Sequence, residues 1–154
     1  AKHNIVSPAL EAVVEGSVLI SGLAFESGGL AAAHSIYDGL TVLEDRMKPP
    51  QYHGELVHFG TCVQVVLEGQ PHDLVYDVFR FGHEIGLPET FEEIGLPDIT
   101  DEDLWGVAEK ATAKGETIHK MPMKATPEKI VYAMKAADKI GKSVSGEILR
   151  APYE

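Results

Sequence analysis

Apolar residues recur every three or four positions along most of this chain, the period of a helix with one buried face. The first such segment opens at Ser7-Pro8. A hydroxyl there can cap a helix, and proline suits the first helical position because its missing N–H costs nothing. From Ala9 to Phe25 the apolar positions Leu10, Val13, Val14, Ile20 and Ala24 are relieved mainly by Glu11, Glu15, Ser17 and Ser21. This helix is therefore expected to be largely buried. Phe25-Glu26-Ser27-Gly28-Gly29 breaks it, and a second helix is expected from about Leu30 to Leu43. Pro49-Pro50 places a loop from Glu44 to Tyr52, because two prolines do not fit a helix interior.

A third helix is expected from His53 to Glu68. Its β-branched run from Cys62 to Leu67 favours a strand locally, but the proline-free stretch is longer than ordinary strands. A fourth helix starts near Pro71 and ends at Gly86, and Leu87-Pro88-Glu89-Thr90 turns the chain into a short helix. Asp98 to Thr100 caps a further helix through Trp105 and Val107 to about Lys114, stopped by Gly115. Asp101, Glu102 and Asp103 sit at its positive end. Thr126-Pro127-Glu128 opens the last helix, with Ile130, Met134, Ala137 and Ile140 on one face and Gly141 as its stop. The pattern predicts an all-α fold forming a single domain over residues 1–154.

The chain has 154 residues, of which 44% are hydrophobic, and its net charge is −11. That is enough for one ordinary core. The negative balance disfavours nucleic-acid and anionic-membrane partners. The one cysteine, Cys62, allows no internal disulfide and reads as a buried, inert thiol. No stretch reaches the ~18–20 apolar residues that a membrane span needs, and no signal-peptide pattern opens the chain. A cytoplasmic location is expected. The chain starts at Ala1 rather than Met, which fits a processed or partial chain.

Short motifs for phosphate cradles, dinucleotide loops, serine nucleophiles, zinc proteases and paired-cysteine sites are missing. Three features remain. The Gly-rich corner before Leu30 allows close backbone approach or simply a sharp interhelical turn. His34 follows small residues and precedes Asp38 by one turn, so it is either a metal ligand or a core histidine with one hydrogen bond. His53-Gly54-Glu55 enters the third helix after the proline loop. His34 and His53 lie on successive helices that should run antiparallel, and two imidazoles so placed make half of a zinc or iron site. His58 lies about 140° round the helix from His53, a poor chelate with it. His3, His72, His83 and His119 read as surface or core residues.

The run from Ser21 to His34, followed by His53-Gly54-Glu55-Leu56-Val57-His58-Phe59-Gly60, resembles the glycerol-oxidising branch of the iron-containing (group III) alcohol dehydrogenase family. The likeness continues through Gly86-Leu87-Pro88-Glu89-Thr90 and Met121-Pro122. It implies the helical C-terminal domain of the dehydroquinate synthase-like fold, and a reversible NAD-linked oxidation of glycerol aided by a divalent metal, zinc or iron. It makes His34 and His53 metal ligands and places Phe25 in the substrate pocket. It also implies a homo-oligomer and an N-terminal NAD-binding α/β domain that this chain lacks, so the chain alone should be inactive. The family's third ligand is an upstream Asp, whereas the 33 residues before His34 contain no Asp. Tyr37 stands where relatives often carry His. A non-catalytic helical module from a split or decayed gene is the competing expectation.

Overall fold

The computed structural model describes residues 5–148, and the chain divides into two compact units, residues 1–30 and 31–154. Among the described residues every regular element is helical.

The first unit is helix α1, Pro8–Ser27, with a π-helical stretch at Gly16–Ile20. It starts where the sequence places it, since Ser7 Oγ accepts from the Leu10 N–H at 3.2 Å. It ends as the Gly28 and Gly29 N–H groups both reach the Ala24 carbonyl, with Gly29 at φ 71°. Its burial differs from expectation: no residue of α1 is buried. Periodicity reports that a helix has an apolar face and leaves open which surface covers it. The length also needs correcting. An 18-residue window of this 20-residue helix has a mean hydropathy of 1.4, which suffices to cross a membrane by length and composition. Averaging over Gly, Ala and Ser achieves what no unbroken apolar run does. Core helices of soluble proteins meet the same measure.

The second unit is a bundle of α2 (Ala32–Leu40), α3 (His53–Leu67), α4 (His72–Ile85), α5 (Asp101–Ala111) and α6 (Pro127–Ile148). Helix α2 packs on α3 and α5, and α6 packs on α3, α4 and α5. Ile36 and Leu40 of α2, Phe59 and Val63 of α3, Phe79 of α4, Val107 of α5 and Ile130 and Met134 of α6 are fully or almost fully buried. Full burial of each such side chain contributes about 1.5–3 kcal/mol.

Three boundaries differ from expectation. The chain beyond α2 tightens into a 3₁₀ helix, Thr41–Arg46, so the proline loop is shorter. Residues after Thr90 form turns rather than a helix. Helix α6 runs past Gly141, whose bare Cα faces the Glu89 carbonyl oxygen, so this glycine serves packing and not termination. Helix α5 is capped as expected: Thr100 Oγ1 accepts from the Asp103 N–H at 3.2 Å, and Asp103 Oδ2 accepts from the Thr100 N–H at 2.9 Å.

Candidate metal centre on the second and third helices

Helix α2 begins at Ala32 without a side-chain cap of its own. Its first turn therefore exposes N–H groups that need partners. Gln64, one helix away, supplies one: its Oε1 accepts from the Ala33 N–H at 2.9 Å. Gly60 brings the two helices together at the same level, since a Cβ there would overlap the Ala33 carbonyl. On the other side of α2, Thr117 Oγ1 donates to the Ala31 carbonyl at 2.7 Å, and buried Ser35 accepts from the Ile118 N–H at 2.9 Å. The start of α2, and hence His34, is held by two neighbouring segments.

His53 is the first residue of α3, fixed by the proline loop and by Glu55, whose Oε2 accepts from the Tyr52 N–H at 2.6 Å. The glutamate of the His-Gly-Glu sequence is thus a helix cap. The two imidazoles meet with ring centroids 5.6 Å apart and planes at 51°. Tyr37, one turn beyond His34, sets its ring edge-on to His53 with centroids 4.4 Å apart. Burial, and next the neighbouring His53, lower the pKa of His34, against a smaller opposing pull from Asp38. His34 is therefore neutral at pH 7, with one ring nitrogen free to bind a metal.

The structure brings His34 and His53 together and leaves the second unit's other histidines apart from them. Phe25 lies on α1, 57% exposed, in the first unit. His58 turns away from His53 toward α4 and Glu89. His119 contacts the Thr112 and Ala113 carbonyls beyond α5, His83 contacts Ser145, and His72 is exposed beside Asp73. His3 lies outside the described residues. Among the described residues no third His, Cys, Asp or Glu completes a three-ligand cluster with His34 and His53. Two features escaped the sequence reading. The Tyr37–His53 contact crosses helices and leaves no local signal. The cluster of His58, Cys62 and Glu89 was half visible, because His58 and Cys62 are four apart on one helix.

No family model matches the chain. It is 50% identical over 92% of its length to a glycerol dehydrogenase of Thermotoga maritima, and covers 38% of that protein. It is 43% identical over 93% of its length to a glycolaldehyde reductase of Halobacterium salinarum, covering 39% of it. The crystal structure of glycerol dehydrogenase from Schizosaccharomyces pombe superposes on 96% of the chain with a TM-score of 0.88 at 39% identity. The chain is similar to the C-terminal helical part of these glycerol dehydrogenases. The all-α architecture agrees with that part of the glycerol dehydrogenase fold. The chain spans well under half the length of the glycerol dehydrogenases it matches.

Proposed function

We propose that this chain is the metal-bearing helical part of an NAD-linked dehydrogenase acting on glycerol or a closely related small hydroxylated substrate. The observation that carries the reading is the facing pair His34 and His53, 5.6 Å between centroids, in a chain 50% identical to a glycerol dehydrogenase. The reaction is the oxidation of a secondary alcohol to a ketone, glycerol to dihydroxyacetone. The carbon-bound hydrogen leaves as hydride to NAD⁺, and the hydroxyl proton is released.

The donor set suits zinc or iron as far as it goes: two imidazoles, one of them kept neutral by burial. In this reading a third ligand, an Asp, comes from the accompanying N-terminal part, which also binds NAD. When bound, the ion supplies Lewis acidity to the substrate hydroxyl. The chain's own residues do the rest. His34 presents a neutral nitrogen, Tyr37 holds the His53 ring edge-on, and Glu55 fixes the start of α3 beneath it. Phe25 is assigned to the wall of the substrate pocket. The same reading places the enzyme in the cytoplasm as a homo-oligomer.

The test is NAD reduction by glycerol with added zinc, using the chain alone and the chain mixed with the N-terminal part of the Thermotoga relative. The expected outcome is no activity alone, activity on mixing, and at least a hundredfold loss with His34→Ala or His53→Ala. Activity in neither arm with both parts folded sinks the dehydrogenase reading, and activity of the chain alone sinks the requirement for a second part. A second reading, a non-catalytic interaction module, is favoured by the exposed apolar face of α1. A strictly monomeric, well-folded chain in sedimentation with little exposed apolar surface counts against it.

A further inference from the structure

We propose that His58, Cys62 and Glu89 form a second metal site, selective for zinc-like ions, inside the bundle between α3, α4 and the turn that follows α4. It is independent of the His34–His53 pair and does not rest on the dehydrogenase reading. The ligand atoms of the three residues lie within 4.8 Å of one another. Cys62 Sγ is 3.6 Å from His58 Nε2, and His58 Nε2 is 3.6 Å from Glu89 Oε1. A tetrahedral zinc ion at ordinary bond lengths holds its sulfur and nitrogen ligands about 3.5–3.6 Å apart, and nitrogen and oxygen about 3.3 Å apart. The two distances from His58 already match this spacing to within a few tenths of an ångström, and Cys62 and Glu89 lie within 4.8 Å of each other.

Glu89 is the independent observation. It is fully buried, and neither carboxylate oxygen has a hydrogen-bond partner. An unsatisfied buried carboxylate is costly, so a side chain held this way calls for a cation. Its backbone leaves it little freedom. Glu93 Oε2 accepts from the N–H groups of Glu89 and Thr90 at 2.8 and 3.0 Å. Asp138 accepts from the Phe91 N–H at 3.0 Å. Gly82 of α4 makes the room, since a Cβ there would overlap both His58 Nε2 and Glu89 Oε1.

The charges also balance. A thiolate and a carboxylate neutralise a divalent ion, so the loaded site carries no net buried charge. Burial, and then Glu89, push the Cys62 thiol up, so without metal it keeps its proton. Binding releases that proton to solvent and forms the metal–sulfur bond. His58, with 11% of its side chain exposed, gives the ion its way in. Thiolate with imidazole favours zinc or cobalt over magnesium or calcium.

The test is a cobalt titration of the chelator-treated full chain, followed by zinc displacement. The expected result is a thiolate-to-cobalt charge-transfer band saturating at one equivalent and bleached by zinc. His34→Ala/His53→Ala should keep the band, Cys62→Ser should abolish it, and Glu89→Gln should weaken binding at least tenfold with helicity unchanged. Absence of the band from the folded wild-type chain overturns the proposal without recourse to any variant. So does a band lost with His34→Ala/His53→Ala, or affinity unmoved by Glu89→Gln.

Discussion

Asp103 shows how one side chain ties separate parts of the bundle together. It closes the α5 capping box with Thr100 and pairs with Arg46, at the end of the 3₁₀ segment. The Arg46 hydrogen bond, and then those from Thr100, lower its pKa to about 2. An unfolded Asp titrates near 3.9. The ionised carboxylate therefore adds stability that is fully present above about pH 4 and is lost as pH falls through about 2. Asp103→Asn should lower the melting temperature at pH 7, and the gap to wild type should close between pH 4 and pH 2. A gap that stays constant over that range contradicts the assignment. The charge and the cap were visible in Asp101-Glu102-Asp103 following Thr100, because both are local. The Arg46 partner, 57 positions away, was not.

Among elements, the α2–α3 contact decides the geometry of the candidate centre. Alanine normally improves a helix interior over glycine by about 0.5–1 kcal/mol. At Gly60 the new methyl would meet the Ala33 backbone, which cannot rotate away. Overpacking of this kind costs about 1–3 kcal/mol and outweighs the propensity gain. Gly60→Ala should lower the melting temperature by several degrees and weaken metal binding at His34 and His53 together. Unchanged stability would mean that the two helices have room to part. Much of this pair was legible: short connections make successive helices neighbours, and the histidines sit at helix starts. Helix ends were less so. Gly141 resembles a stop by composition, but its reason for being glycine is the Glu89 carbonyl, a contact that no local pattern encodes.

At the scale of the whole molecule, the contrast lies between a tightly packed second unit and a first unit with no buried residue among those described. Val13, Val14, Val18, Leu19, Ile20 and Leu23 are each more than half exposed. A face of that size on a soluble chain marks a surface meant to be covered. The amphipathic pattern was legible and the burial inferred from it was not, since a sequence carries no record of what lies on the other side of an apolar stripe. Leu23→Ala should leave the melting transition within about 0.5 kcal/mol of wild type, as exposed positions do. A loss of 2 kcal/mol or more, read by urea unfolding, would show that α1 is buried in solution. The Schizosaccharomyces pombe structure matches 96% of the chain, so most of these residues also have counterparts in a dehydrogenase fold.

The borrowed cap on α2 has a kinetic side as well. The Ala33 N–H is bonded by Gln64 of another helix, so it is protected only while α2 and α3 are docked. A helix of nine residues is marginal on its own. The opening of α2 should therefore be a subglobal event shared with α3, and not end fraying. In native-state hydrogen exchange, the Ala33 amide should exchange with the same free energy as the middle of α3, and Gln64→Ala should uncouple them. Whatever ligand His34 holds would then bind only to the docked form, and would slow exchange along both helices at once.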